Sequence, residues 1–110
     1  MRLPNAELAR IDREKLTSYL LSFTHPVGRS KARFFGELGF AESNVEELEE
    51  ALLSIAQSGE VVETLSSEYG RKYVVDGTIR GSAGIDAHLR TIWIIESGES
   101  RQRFVTAYPR

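Results

Sequence analysis

The sequence predicts an α+β fold, in which about three N-terminal helices pack on a roughly four-stranded antiparallel meander sheet. Apolar residues recur at helical spacing up to Gly59, and beyond that point the period changes to two, as it does in strands. Short turns separate the strand-like runs, and such turns join antiparallel neighbours. At this length we assign residues 1–110 to a single domain.

The first helix is predicted to begin at Asp12, a good N-cap, and to end before Pro26. Residues 6–11, which precede it, are predicted to form a short strand or an extended arm. One face of this helix carries its apolar residues, which are Leu16, Tyr19, Leu20 and Phe23.

The second and third helices are each predicted to end at a glycine. The second runs from about residue 28 to 38 and is closed by Gly39. The third begins after Asn44, with Glu47 at the capping-box position, and stops at Gly59. Its buried stripe is predicted to consist of Val45, Leu48, Leu52, Ile55 and Ala56.

Four strands are predicted, over residues 61–65, 71–79, 85–95 and 103–108. Residues 92–95 are apolar at every position, so both faces of this stretch are apolar. This part of the third strand is therefore predicted to be central in the sheet and covered on both sides. Strict alternation places Thr91 and Trp93 on one face of the third strand. In the last strand, the same alternation predicts one shared face for Phe104, Thr106 and Tyr108.

Composition narrows the classes of function. The chain has no cysteine and two histidines, which argues against a disulfide framework and a zinc site, and we expect no metal and no cofactor. No apolar run reaches the length of a membrane span, and no signal-peptide pattern is present, so we expect a cytoplasmic protein without membrane contact. The net charge of −2 argues against general coating of nucleic acid, but it allows a small site that grips one phosphate.

Residues 25–35 carry the richest chemistry. His25 stands beside three cations at the start of the second helix, and Lys31 shares a helical stripe with Phe35 and Leu38. Burying an ammonium without a partner is costly. We therefore predict that His25 and Lys31 lie beside an apolar surface, at a position where an anion could bind. Two alternatives remain: His25 caps the first helix or fills a loop, and Lys31 extends its ammonium to solvent along Phe35.

Metal-free RNA cleavage needs a base, an acid and a cation that stabilises the phosphorane. His25 is predicted as base or acid, because its free pKa lies near neutrality. Lys31 and Arg90 are predicted to stabilise charge. If the last two strands pair, Arg90 gathers near one sheet surface with Thr91, Thr106 and Tyr108, a set suited to gripping a phosphate. The candidates for stacking a base are Tyr69, Tyr73 and Tyr108.

Ordinary structural roles compete with several of these assignments. Tyr69 followed by glycine is typical of a turn, and Trp93 is better explained as core than as a stacking platform. Thr106 and Tyr108 also have the β-propensity of common strand residues.

Four sequence blocks together resemble a known family. They are HPVGRSKARFF (25–35), EYGRKYVVDG (68–77), LRTIWII (89–95) and RFVTAYP (103–109). The chain is similar to a family of short bacterial proteins, common in cyanobacteria and described as a domain of unknown function. Related domains form the C-termini of large secreted contact-dependent toxins. Stand-alone copies of the domain are encoded beside a second small protein. The resemblance covers nearly the whole chain.

The order of elements also resembles the ribonuclease class of barnase, EndoU, colicin E5 and RelE. This resemblance implies an RNA substrate and a site on the open face of the sheet. It implies a catalytic set of His25, Lys31, Arg90, Thr91, Thr106 and Tyr108. The residues predicted to bind substrate are Arg29, Arg33, Tyr69 and Tyr73. Members that act on the ribosome are often strongly basic, and the mildly acidic composition argues against that target.

The leading hypothesis is a metal-independent endoribonuclease of the toxin type, held in check by a small cognate antitoxin or immunity protein. The alternative is a non-catalytic protein-interaction module of a bacterial two-gene system, whose cationic helix binds an acidic partner. A third hypothesis, an immunity protein, is less favoured because the acidic residues are confined largely to one helix. Convergence of Lys31 and Arg90 with His25 in one cleft would favour the enzyme, whereas their placement on different faces would favour the interaction module.

Overall fold

Three helices precede a four-stranded antiparallel sheet in the computed structural model, which describes all residues from Met1 to Arg110. This arrangement confirms the predicted α+β fold. Helix α1 (Arg13–Lys15) continues as a π-helical turn (Leu16–Leu20), and it is followed by α2 (Arg29–Glu37) and α3 (Val45–Ser58). The strands, adjacent in chain order, are β1 (Glu60–Ser67), β2 (Gly70–Arg80), β3 (Asp86–Glu96) and β4 (Arg103–Pro109). No helix has the combined length and apolar character needed to cross a membrane.

The first helix ends earlier than predicted. The wide turn after α1 closes with a bond from the Leu21 N–H to the Leu16 carbonyl, 2.8 Å long, which uses one residue more than an α-helical turn. Ser22 and Thr24 then bond to each other through their side chains, and such local bonds compete with a helix. The prediction that Phe23 joins the apolar face is therefore wrong: its side chain is 67% exposed.

The segment before α1 matches the predicted strand or arm only at Arg10. A 3₁₀ turn occupies Ala6–Leu8, where a strand or arm was expected. Arg10 is extended and pairs with Arg103 of β4 in a single parallel bridge. The arm thus covers one end of an edge strand.

Asp12 and Asn44 occupy the predicted N-cap positions of α1 and α3, but neither side chain makes a capping hydrogen bond. A 3₁₀ turn (Glu42–Asn44) runs directly into α3, so the Asn44 side chain turns back to bond the Ala41 N–H and the Gly39 carbonyl. Gly39 itself is confirmed as the residue that ends α2, with a left-handed φ of 92°.

The helices and one face of the sheet enclose the core. All five predicted stripe residues of α3 are buried, and this helix packs on β2 so closely that a Cβ on Gly77 would lie 2.9 Å from Ile55. Trp93 is fully buried against Phe104, with ring centroids 5.3 Å apart. Its indole N–H donates to Thr91 Oγ1 over 2.8 Å, which confirms that these two residues share a face.

A β-bulge in β4 overturns the predicted alternation of that strand. Phe104 lies opposite Trp93 and Thr106 lies opposite Ile92, so an extra residue is inserted between them. Phe104 therefore enters the core, whereas Thr106 and Tyr108 have register positions on the other side of the sheet, which we call the outer face. Tyr108 lies opposite Arg90 there.

The predicted covering of residues 92–95 on both sides is confirmed only in part. Trp93 and Ile94 are buried, but Ile92 and Ile95 remain half-buried. The strand is central, between β2 and β4.

Candidate functional site

Four polar side chains meet where α1, α2 and the edge strand β4 come together. The Lys31 ammonium donates to the Tyr19 phenol oxygen over 3.0 Å, and that oxygen lies 3.1 Å from Thr106 Oγ1. The His25 ring meets the Tyr19 ring edge-on, with centroids 5.0 Å apart. We call Tyr19, His25, Lys31 and Thr106 the Tyr19 cluster. It joins the helical layer to the outer face of the sheet.

The turn before α2 is folded around His25. Its Nδ1 accepts the N–H groups of Val27 and Gly28, each over 3.0 Å. An Nδ1 that accepts two hydrogen bonds carries no proton, so the neutral ring holds its proton on Nε2. His25 thus shapes the start of α2 and still has one N–H to offer.

Gly28 allows α2 to approach α1 closely. A Cβ at this position would overlap the backbone carbonyl oxygen of Tyr19 and lie 2.9 Å from the carbonyl carbon. Its φ of −78° is ordinary, so the requirement is for space and not for a special backbone conformation. This contact brings Lys31, one turn further along α2, to the phenol of Tyr19.

Positive charge dominates the cluster. The ammonium groups of Lys15 and Lys31 lie 5.7 and 5.2 Å from the Tyr19 ring centroid, and neither is paired with a carboxylate. Partial burial raises the pKa of the Tyr19 phenol, but hydrogen bonds from Lys31 and Thr106, with the charges of both lysines, outweigh that effect. The pKa of Tyr19 is therefore lowered from its ordinary value.

Arg90 lies on the outer face and is fixed by Asp76. Its Nε and Nη2 atoms donate to the two carboxylate oxygens of Asp76 over 2.8 and 2.9 Å, and Arg110 adds a contact of 3.2 Å. Because Arg90 is opposite Tyr108 and Thr106 is two residues from Tyr108, Arg90 and Thr106 are diagonal neighbours, which places them about 7–8 Å apart, with their Cβ atoms somewhat closer. The guanidinium is half-buried and reaches across the outer face to Asp76 on β2, away from the β4 edge that carries Thr106.

The Asp76 carboxylate should make the folded state sensitive to acid. The hydrogen bond from Arg90 lowers the pKa of Asp76 more than burial raises it. A carboxyl with a lowered folded-state pKa stabilises the fold above its unfolded value of about 3.9, and this contribution is lost as the pH falls through the folded value. We expect Asp76→Asn to be less stable than the wild type at pH 7 and to show a smaller stability loss between about pH 5 and 2. Urea unfolding across that range measures it; equal pH dependence in both proteins would contradict it.

Several residues predicted for the site lie elsewhere. Thr91 is fully buried, and its hydroxyl donates to the Val75 carbonyl while accepting the Trp93 N–H, so it supports the core. Tyr73 is also buried in the core. Tyr69 is 72% exposed in the β1–β2 turn, at the end of the sheet near Glu96.

The remaining cations lie close to the cluster without joining it. Arg29 and Arg33 are exposed on α2, where residues two positions from Lys31 are on the far side of the helix. His25, Lys31 and Thr106 are the predicted residues that the structure brings into contact through Tyr19. Arg90 and Tyr108 are beside them on the outer face.

Tyr19 is the central residue that the sequence analysis missed. It was assigned to an apolar helical face together with Leu16 and Leu20, which are indeed buried. The available signal was its hydroxyl, since a tyrosine on a buried face usually finds a hydrogen-bond partner. Nothing in the sequence, however, identified Lys31 and Thr106 as those partners.

Comparison with known proteins gives a family and a fold. A family model described as Domain of unknown function (DUF6883) matches residues 2–110. Among solved structures, a chain of the contact-dependent growth inhibition toxin–immunity protein complex from Klebsiella pneumoniae 342 is similar, with 18% sequence identity and a TM-score of 0.75. The alignment covers 96% of this chain and 97% of that chain. At this identity the likeness shows a shared fold. No curated protein matches the sequence.

Proposed function

The chain belongs to the DUF6883 family, and we propose that it is a metal-independent endoribonuclease of the toxin type, held inactive by a small partner protein. The hydrogen-bonded chain from Lys31 through Tyr19 to Thr106 carries this proposal. It joins a phenol with a lowered pKa to an ammonium, next to the imidazole ring of His25, whose Nδ1 accepts two backbone N–H groups.

The proposed reaction uses the ribose 2′-hydroxyl as the nucleophile. The 2′-oxygen attacks phosphorus and the bond from phosphorus to the 5′-oxygen breaks, which leaves a 2′,3′-cyclic phosphate. Tyr19, as phenolate, accepts the 2′-hydroxyl proton, and the Lys31 ammonium protonates the departing 5′-oxygen. A proton then returns from Tyr19 to Lys31 along their 3.0 Å hydrogen bond, which restores both groups.

The other residues of the site hold the substrate and stabilise charge. His25 donates its Nε2–H to a non-bridging phosphate oxygen as negative charge develops there. Thr106 orients the Tyr19 phenol. Arg90, whose guanidinium plane is fixed by Asp76, binds an adjacent phosphate. Tyr108 offers an aromatic face on which a base can stack.

A partner protein is proposed because the chain shares its fold with a member of a toxin–immunity protein complex. That complex contains two kinds of chain, a toxin and an immunity protein, which have opposite effects on a cell. The Tyr19 cluster favours the toxin side, since an inhibitor has no need for an ionisable phenol between two ammonium groups. The partner is expected to cover the cluster.

Incubation of the purified chain with RNA tests the function directly. We expect cleavage of a short single-stranded RNA in the presence of EDTA, with 2′,3′-cyclic phosphate ends. The same sequence as DNA should stay intact, because it lacks the 2′-hydroxyl. If neither this RNA nor total cellular RNA is cleaved and expression does not slow bacterial growth, the interaction-module alternative is supported.

Substitution of His25 separates its two roles. In His25→Asn, the side-chain oxygen can still accept the Val27 and Gly28 N–H groups, but the Nε2–H donor is lost. We expect cleavage to fall about 100-fold while the thermal midpoint stays close to that of the wild type. His25→Ala should lose both activity and stability. Full activity of His25→Asn would show that His25 only shapes the turn.

A further inference from the structure

Phe23 is a large apolar side chain left in solvent beside two unpaired arginines. Its side chain is 67% exposed, and it reaches across α2, where a Cβ on Gly36 would lie 3.9 Å from its Cζ atom. A cavity of about 240 Å³ is lined by Phe23, Arg29, Ser30 and Arg33. No ion pair involves Arg29 or Arg33.

We propose that Phe23, Arg29 and Arg33 form a subsite that binds one nucleotide of a single-stranded RNA, with its base stacked on Phe23. This inference rests on the proposed ribonuclease function and names a part of its substrate site. An exposed aromatic ring next to guanidinium groups is the combination that single-strand binding uses, because the ring stacks on any base and the cations hold the phosphates.

The position of Phe23 relative to the cluster supports an RNA ligand. Phe23 and His25 belong to the same turn and are two residues apart, so their Cα atoms are within about 7 Å of each other. Because Arg29 and Arg33 face away from Lys31 on α2, a base on Phe23 would belong to a nucleotide further along the strand from the cleaved phosphate, reached around the turn that holds His25. The two arginines are four residues apart on α2, where like charges repel mildly, and an anion between them relieves this repulsion.

The chain offers a matched control. Val27 is also apolar and 60% exposed in the same turn, but it lines no cavity with the arginines. Since Phe23 and Val27 are both exposed, their replacement by alanine should leave the fold intact.

The experiment measures binding without cleavage. A fluorescein-labelled decamer of 2′-O-methyl RNA, which cannot be cleaved, is titrated with each protein and followed by fluorescence anisotropy. We expect Phe23→Ala to raise Kd by about 5- to 150-fold, the loss of one stacked base. Phe23→Tyr should bind within about twofold of the wild type, because it keeps an aromatic face. Val27→Ala should bind like the wild type. Arg29→Gln should lower the slope of log Kd against log salt concentration by about 0.7.

Cleavage of the unmodified decamer is measured in parallel, which keeps the two proposals distinguishable. Absence of cleavage by the wild type, both of the decamer and of total cellular RNA, together with no effect of expression on bacterial growth, would overturn the proposed function, whatever the binding result. Cleavage by the wild type together with an unchanged Kd for Phe23→Ala would overturn the subsite alone.

Discussion

Tyr19→Phe is expected to lower RNA cleavage by about 100-fold or more, because it removes the group that accepts the 2′-hydroxyl proton. Phenylalanine keeps the ring that packs against His25 and lies beneath the two ammonium groups. Only the hydroxyl is lost, and with it the hydrogen bonds to Lys31 and Thr106. The half-buried ammonium of Lys31 can turn to water, so the fold should survive. Initial rates on a short RNA and the circular dichroism spectrum measure the two effects.

Tyr69→Phe is the matched control, since that phenol is 72% exposed in the β1–β2 turn. It should cleave RNA at the wild-type rate. The pH dependence of cleavage gives a second, independent readout. Because the pKa of Tyr19 is lowered, the wild-type rate should rise with pH below the ordinary tyrosine value of about 10. Tyr19→Phe should lose this rise. A Tyr19→Phe protein with full activity would show that the phenol only ties α1 to β4.

The sequence predicted the class of fold because the change of apolar period at Gly59 is unambiguous. Local irregularities were not predictable. The π-helical turn at Leu16–Leu20 and the bulge before Thr106 each insert one residue into a regular pattern, and each redirects the side chains that follow. For this reason Phe23 leaves the core, and Thr106 and Tyr108 lie on the opposite face of the sheet from Phe104. Periodicity assumes a constant repeat, so it fails at these positions.

The site was predictable in part for a related reason. Residues 25–35 drew attention through local features, namely a histidine, a glycine and a lysine on an apolar stripe. Their meeting with Thr106 depends on how α1 and α2 pack against the β4 edge, which is a long-range property. Tyr19 was missed because a tyrosine among leucines is typical of core. Thr91 was proposed for the site because its burial under the helices depends on which face of the sheet they cover.

Gly28→Ala is expected to disable the site by separating α2 from α1. The added methyl group would overlap the Tyr19 carbonyl oxygen, which belongs to the backbone and cannot turn away. Helix α2 must shift, and this shift pulls Lys31 from the phenol and strains the bonds from Val27 and Gly28 to His25. Overpacking of this kind costs about 1–3 kcal/mol of the free energy of unfolding. Because small displacements of catalytic groups are costly, we also expect cleavage to fall about 100-fold.

Gly36→Ala is the control that separates the contact at Gly28 from the general effect of replacing a glycine of α2 by alanine. Gly36 lies in the same helix, and the nearest atom to its added Cβ would be Phe23 Cζ at the ordinary distance of 3.9 Å. Gly36 lies in the last turn of α2, so Gly36→Ala should raise the free energy of unfolding by at most about 0.5–1 kcal/mol and keep full cleavage activity. Urea unfolding and initial rates for both variants give the comparison. If Gly28→Ala matched Gly36→Ala in both measurements, the close approach of the two helices would not be what assembles the site, and the contact between Lys31 and Tyr19 would have to arise from packing against β4 instead.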